Sequence, residues 1–229
     1  MSTALAIAGV TQILRDLLNE GVIDGDVSAV IGASVAVRAL PPDRLQTVAS
    51  PDGPLINLFL HQVTRNAGWA NADLPARAPD GRRVSSPPLA LDLHYLLSAY
   101  GFDELHGEIL LGYALQILDE HPVLGRGAIR TALAPAVPIG GGLPPALQAL
   151  GETGLADQIE QLKISPEPLD TEAMSRIWTA LQTNYRPSAG FVVTVVLVDR
   201  PQPARAALPV LRVGPDARGA RVAPDVLPP

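Results

Sequence analysis

The chain has 229 residues, no cysteine, 47% apolar residues and a formal net charge of −6. The lack of cysteine excludes disulfides and thiolate metal sites, and the negative charge argues against a general affinity for nucleic acid or anionic lipid, which need clustered positive charge. The apolar content is sufficient for a sizeable core in one large domain or two small ones.

The first predicted element is a helix from about Ser2 to Gly21. Ser2 is a suitable N-cap and Gly21 a suitable end. The apolar residues of one face recur at helical spacing: Ala6, Val10, Ile13, Leu14 and Leu17. The segment lacks the basic start and cleavage motif of a signal sequence, and Ile109–Leu118 is too short to span a bilayer. We therefore expect a soluble protein.

Strands and a buried helix are predicted next. Val35–Leu40 and Ile56–Val63 alternate between apolar and other residues, and Pro87–Gly101 is the predicted central strand, buried on at least one side. The following helix, capped by Asp103, is apolar on almost every face over Ile109–Leu118, so another element must cover it.

The second half predicts a short helix at Arg126–Leu133, a weak strand at Gln158–Ile164 and a strand at Phe191–Val198. The glycine-rich stretch 138–145 is predicted to be a surface loop, inserted as a hinge or spacer. Asp170 caps a predicted helix from Thr171 to about Asn184, whose buried stripe is Met174, Ile177, Trp178 and Leu181. These elements predict an α/β (α+β) fold with a single mixed sheet of about four to five strands flanked by helices.

Residues 200–229 differ in composition from the rest. They contain seven prolines, and their five arginines and two aspartates give a charge of +3, so residues 1–199 carry −9. Such a segment predicts an extended arm able to lie across a neighbouring copy. We therefore divide the chain into a domain, 1–199, and a proline-rich basic C-terminal arm, 200–229, in which residues 208–213 have strand character.

No candidate for catalysis or metal binding has the required pattern. Asp92, His94 and Ser98 share one strand face and form a candidate hydrolase triad, but the Gly-x-Ser-x-Gly turn that exposes a nucleophile is absent. The four histidines lack metal-site spacing, and Gly140–Gly142 lack the lysine of a phosphate loop. We predict no catalytic, cofactor or metal residues.

An interaction surface is the better prediction. Trp69 begins a long connection, and it either anchors an interface or folds back onto its own domain. The candidate interface residues are Trp69, Arg82, Arg83, Leu208, Val210, Leu211, Arg212 and Val213.

Several segments carry a family resemblance. They are Ala39–Asp43, Asn57–Leu60 continuing to Trp69, Pro87 to Pro122 with its Leu-Asp-Leu-His-Tyr-Leu-Leu run, and Gln158–Val198 with Tyr-Arg-Pro-Ser. In this order they resemble the tube-terminator or cap protein family of contractile injection systems, phage-tail-like particles such as the antifeeding prophage and the Photorhabdus virulence cassettes. The resemblance covers about residues 1–199 and omits the glycine-rich stretch and the arm.

The resemblance implies a phage tail-terminator-like fold and a structural role. Members of that family form a hexameric ring at the distal end of the inner tube and contractile sheath, end their polymerisation and join the two. The implied partners are further copies, the inner-tube protein and the sheath protein, with no nucleic acid, membrane insertion or catalysis. Assembly in the cytoplasm is implied, with release of the particle left open. The alternatives are the hydrolase, or an assembly chaperone or adaptor for tube components.

Overall fold

A computed structural model describes residues 4–48, 53–70, 88–134, 150, 154–158 and 161–199. The helices are α1 (Ala6–Asp24), α2 (Val27–Ile31), α3 (Pro42–Val48), α4 (Ala67–Ala70), α5 (His106–Glu120), α6 (Arg126–Leu133) and α7 (Thr171–Ala180), with a 3-10 turn at Leu155–Asp157. The strands are β1 (Ala36–Arg38), β2 (Leu55–Arg65), β3 (Leu89–Tyr100), β4 (Val123–Leu124), β5 (Leu162–Glu167) and β6 (Ser188–Val198).

The strands form one mixed sheet in the order β1-β2-β3-β6-β5-β4. β1 pairs with β2 in parallel, and the other pairs are antiparallel. The predicted α/β fold with a single mixed sheet is confirmed, and β3 lies at the centre of it. The sheet has six strands where four to five were expected, because β4 has only two residues and shows no alternation in the sequence.

The main core lies on one face of the sheet. Alternate residues of β3, namely Leu91, Leu93, Tyr95 and Leu97, are buried against α1 and α5. The Tyr95 hydroxyl, deep in this core, is hydrogen-bonded to Thr11 Oγ1 of α1 at 2.9 Å. Burial of the tyrosine raises its pKa above the usual value.

The ends of α1 differ from the prediction. The helix begins at Ala6, and Leu5 at its N-cap provides no side-chain hydrogen bond, while Ser2 lies outside the described residues. Gly21 does not end the helix, which continues to Asp24. Instead, a Cβ atom at Gly21 would lie 2.6 Å from Ile117 Cδ1, so this glycine lets α1 and α5 approach closely.

The predicted cover for α5 is confirmed, but its predicted cap is wrong. Leu110, Ala114, Ile117 and Leu118 are buried in the core that α5 shares with α1. Leu105 occupies the N-cap with a left-handed φ of 65° and makes no side-chain cap bond. The carboxylate of Asp103 lies 4.0 Å from His106 Nε2 instead of capping the helix.

β5 begins later than predicted, at Leu162 instead of Gln158. Gln158 is nevertheless tied to β6 by its side chain. Its Nε2 donates to the Val195 carbonyl at 3.2 Å, and its Oε1 accepts from the Leu197 N–H at 3.2 Å. The Gln158 side chain therefore makes the hydrogen bonds to β6 that a strand backbone would make, before β5 begins. The alternation of apolar residues in the sequence cannot reveal such a side-chain contact.

α7 is capped as predicted but packs more loosely than predicted. Asp170 Oδ1 accepts from the Ala173 N–H at 2.7 Å. The helix ends at Ala180, and only Trp178 of the predicted stripe is buried. The remaining predicted stripe residues are half-buried: Met174, Ile177 and Leu181.

Beyond the two residues that pair with β4, the outer side of β5 carries prolines. The Ile164 N–H faces outward and donates to the Pro122 carbonyl at 2.8 Å. The next outward-facing residue is Pro166, which has no N–H to offer, and Pro168 follows the strand.

Among the helices described, none is long and apolar enough to cross a membrane.

Candidate functional site

The face of the sheet opposite the main core, here called the second face, carries a small apolar patch around Trp69. Asn66 ends β2 and holds the first turn of α4, because its Oδ1 accepts from the Trp69 N–H at 2.9 Å. The indole packs against Ala90, Val195 and Leu197. Trp69 therefore folds back onto its own sheet while staying partly exposed, and its role in binding a partner remains a prediction.

A polar cluster lies on the same face. Asn66 Nδ2 donates to both carboxylate oxygens of Asp92, at 2.9 and 3.1 Å. His94 uses both ring nitrogens: Nε2 is hydrogen-bonded to Thr64 Oγ1 at 2.8 Å, and Nδ1 to Glu167 Oε1 at 2.9 Å. Because Glu167 belongs to β5, this bond passes over β6 and connects β3 to a strand that is not its neighbour.

His61 adjoins this cluster where β2 has an irregular register between Leu60 and Gln62. Its ring lies edge-on to His94, with centroids 6.2 Å apart. The Nε2 atom of His61 is buried and has no hydrogen-bond partner among the residues that the structure describes. Burial lowers the pKa of His61, the neighbouring Glu167 opposes this shift, and His94 adds to it.

The structure does not assemble the candidate hydrolase triad. Asp92 is held by Asn66, and both nitrogens of His94 are engaged elsewhere. Ser98 lies four residues further along β3, about 13 Å away at the rise of a strand. It is also fully buried. A serine nucleophile needs hydrogen-bond contact with its base, so these three residues do not form a triad.

Other predicted site residues are not brought together here. Within the described ranges, no group of three acidic, histidine or cysteine side chains is placed to hold a metal ion. The remaining candidate interface residues lie outside the described residues: Arg82, Arg83, Leu208, Val210, Leu211, Arg212 and Val213. The glycine-rich stretch 138–145 lies outside them as well.

Sequence reasoning missed two clefts, one on each side of α7. The first, of about 710 Å³, lies between α5, β5, β6 and α7, and the second, of about 690 Å³, lies between α7 and the segment leading into β6. Leu169, Met174 and Ser188 line both. The loose packing of α7 creates them, and its helical stripe had been interpreted as fully buried core.

The family model of the Pvc16 N-terminal domain matches residues 9–212. The chain belongs to this family. The match confirms the resemblance, and it continues past residue 199 into the predicted arm, which the resemblance had omitted. No curated protein sequence matches the chain.

Two solved structures are similar to this Pvc16 N-terminal domain protein. One is the sheath/tube terminator of the extracellular contractile injection system PVC in its extended state, with a TM-score of 0.54, 15% identity and coverage of 93% of this chain and 63% of that chain. The other is the tube-terminating cap of the anti-feeding prophage, with a TM-score of 0.48, 14% identity and coverage of 85% and 58%.

The chain spans less than two thirds of the length of either structure. At 15% identity, the likeness to the PVC terminator shows the fold alone. The two structures are a terminator and a cap.

Proposed function

We propose that this protein is the cap, or tube and sheath terminator, of a contractile injection particle. The observation that carries the proposal is the family match over residues 9–212, on a chain whose fold follows the PVC sheath/tube terminator over 93% of its length. The absence of an assembled triad on the second face favours this role over the hydrolase.

In this proposal the protein acts by shape. Six copies form a closed ring in which the same pair of contacts repeats, so each contact can be modest. The ring ends the polymerisation of the inner tube and of the sheath and joins the two. Its partners are other copies, the inner-tube protein and the sheath protein, with assembly in the cytoplasm.

The C-terminal arm provides the attachment in this proposal. Its charge of +3 complements the −9 of residues 1–199, and residues 208–213 have the composition of a strand that can add to a sheet of a neighbour or of the sheath. Trp69, Arg82 and Arg83 are the remaining proposed contact residues.

Removing the arm tests this role directly. A chain ending at Asp199 is expected to fold, because β6 and the core are complete, but no longer to cap sheathed particles. Electron micrographs of particles made with the truncated chain would show open or irregular ends, and circular dichroism would confirm the fold. Properly capped particles from this variant would contradict the role given to the arm.

A deletion strain separates the cap from the assembly chaperone. A cap must remain in purified particles at one ring per particle, whereas a chaperone leaves. Quantitative mass spectrometry of wild-type particles, beside tube and sheath lengths in the deletion strain, decides between them. Tubes of unchanged length with normal ends in that strain would remove the proposed function.

A further inference from the structure

The two clefts beside α7 combine an apolar floor with an acidic rim. Leu115, Leu118, Ile164, Phe191 and Met174 supply apolar surface in the first cleft. The charged residues that line the two clefts are Asp119, Glu167 and Asp170, and no lysine, arginine or histidine is among the described lining residues. The Glu167 carboxylate is bonded to His94 and that of Asp170 caps α7, but all three residues contribute negative charge. An occupant that fits this surface is apolar and positively charged.

An aromatic pair forms one wall of the second cleft. Trp178 is 3% exposed, and its ring meets that of Tyr185 edge-on with centroids 5.9 Å apart. Trp178 Nε1 and Thr183 Oγ1, both from residues that line this cleft, are buried without hydrogen-bond partners among the described residues. Tyr185 is 63% exposed and lines the same cleft, so an occupant of the cleft would contact its ring beside the indole.

Aromatic-lined grooves with a tryptophan N–H donor suit proline-rich peptides. Such peptides are already extended, lose little entropy on binding, and offer carbonyl oxygens that their prolines cannot satisfy. A buried donor without a hydrogen-bond partner is unfavourable, so a carbonyl that accepts from Trp178 adds affinity.

This chain contains a segment with that composition. Residues 200–209 read Arg-Pro-Gln-Pro-Ala-Arg-Ala-Ala-Leu-Pro, with three prolines, two arginines and no acidic residue. They lie within the family match, which continues to residue 212. Their charge and proline content complement the acidic, aromatic clefts.

The reach of the chain decides which copy supplies the segment. The second cleft lies at the Ser188 end of β6, whereas the described chain leaves β6 at its other end, at Asp199. The strand's 11 residues span about 33 Å. Ten residues in a polyproline conformation span about 31 Å, so a segment 200–209 that returned to the second cleft of its own chain would have no residue left to lie in it.

We propose that the clefts beside α7 bind residues 200–209 of a second copy of this chain. The prolines pack against Trp178, Tyr185 and Met174, and the arginines pair with the acidic rim. This inference rests on the proposed ring, in which each copy gives its arm to one neighbour and receives that of another. Residues 208–213 then emerge from the cleft and remain free to add to a sheet.

Photo-crosslinking from Met174 tests this contact. Met174 lines both clefts, and the chain has only one other methionine, Met1, so photo-methionine marks the clefts almost uniquely. Full-length chains labelled with ¹⁴N and ¹⁵N are mixed before assembly, irradiated both as purified protein and in particles, and mapped by mass spectrometry. The expected result is heavy–light crosslinks from residue 174 to residues 200–209.

Two charge variants provide the matched control. Arg200→Gln with Arg205→Gln is expected to lower the heavy–light crosslink yield about threefold or more, whereas Arg218→Gln with Arg221→Gln, outside the segment, leaves the yield unchanged. Crosslinks from residue 174 to the tail of the same chain, or none to residues 200–209 in an oligomer or particle, overturn the inference.

The outcomes also distinguish this inference from the proposed function. Capped particles without crosslinks to residues 200–209 leave the cap role intact and remove the cleft contact. Heavy–light crosslinks in a protein whose deletion leaves particles normally capped support the cleft contact and remove the cap role.

Discussion

At the scale of single residues, the second face of the sheet is held by polar side chains whose hydrogen bonds cross strand boundaries. His94 links Thr64 of β2 to Glu167 of β5, although β6 lies between β3 and β5. Asn57, fully buried on β2, bonds both backbone groups of Leu40. These contacts fix strand positions, and some depend on protonation.

His61 predicts a pH dependence of stability. Burial lowers its pKa in the folded chain, so below the ordinary value of 6.5 the unfolded chain binds more protons at this site. The stability that neutral His61 contributes is therefore fully present above pH 6.5. It is lost as the pH falls toward the pKa of His61 in the folded chain. We expect the free energy of unfolding, measured in urea between pH 7.5 and 5, to fall less steeply in His61→Gln than in the wild type.

A neighbouring residue without a titratable group supplies the control for this measurement. Gln62→Ala, at the exposed position next to His61, is expected to leave the pH dependence of the wild type unchanged because it removes no titratable group. Equal slopes for His61→Gln and the wild type would show that His61 does not titrate differently on folding.

Asn57 predicts a stability loss that does not depend on pH. Asn57 Nδ2 donates to the Leu40 carbonyl at 3.0 Å, and Asn57 Oδ1 accepts from the Leu40 N–H at 3.1 Å. Asn57→Ala should lower the free energy of unfolding by about 2 kcal/mol, because it removes two bonds and leaves buried backbone groups unpaired. Asn184→Ala, at an exposed position, is the matched control. A loss below about 0.5 kcal/mol would contradict this role.

At the scale of elements, the core depends on how closely α1 approaches α5. The contact is made at Gly21 against Ile117, a β-branched side chain with few alternative rotamers. In contrast, α7 has a single buried residue and is bordered by two clefts. The helices on the core face are therefore fixed in place, while α7 leaves surface for a ligand.

A pair of glycine substitutions tests the contact between the two helices. Gly21→Ala should destabilise the protein by about 1–3 kcal/mol, since its Cβ atom would clash with Ile117. Gly112→Ala, on α5 with nothing within 4 Å of its Cβ position, should stabilise it by about 0.5–1 kcal/mol through helix propensity. Thermal and urea unfolding measure both. Stabilisation by both substitutions would show that the helices separate without cost.

At the scale of the whole molecule, the two faces of the sheet carry different kinds of residues. One face holds the core with α1, α5 and α6, and the other carries Trp69 and the polar cluster. A cap that joins a tube and a sheath needs a rigid body with more than one contact surface. The core helices α1, α5 and α6 lie on one face of this sheet and do not cover the second face.

Trp69 predicts a difference between assembly and stability. Its indole is only partly buried, so Trp69→Ala should weaken ring or tube contact more than it lowers the melting temperature. Leu197→Ala in the same patch is the comparison, because Leu197 is buried and its loss should cost about 2–5 kcal/mol of stability. Light scattering, particle capping and thermal unfolding give the ranking. The reverse ranking for Trp69 would assign it to the core.

Local patterns predicted the elements whose residues interact mainly with their own neighbours in the chain. The alternation of β3, the bounds of α6 and the Asp170 cap of α7 were all readable in this way. Gly21 was not, because a glycine that ends a helix and one that admits a partner helix look alike in sequence. The clefts beside α7 were missed because half-buried and buried apolar residues share the same spacing.

The site was predicted less well than the fold. Asp92 and His94 are two apart on β3, but the register irregularity between Leu91 and Leu93 and the approach of Asn66 give them separate partners. Gln158 has strand-like surroundings in sequence but pairs through its side chain. Such contacts join residues far apart in the chain, which spacing along one segment cannot show.

Pro166, on the outer side of β5, has a consequence for subunits that have not yet assembled. An unpaired strand edge normally recruits other strands, and identical molecules at high local concentration can then grow into fibrils. Here Pro166 presents no donor beyond the Ile164 bond, and β1 at the opposite edge is three residues long. Both borders of the described sheet therefore offer few free backbone groups for uncontrolled strand addition, and we expect subunits that are not yet assembled to resist fibril formation.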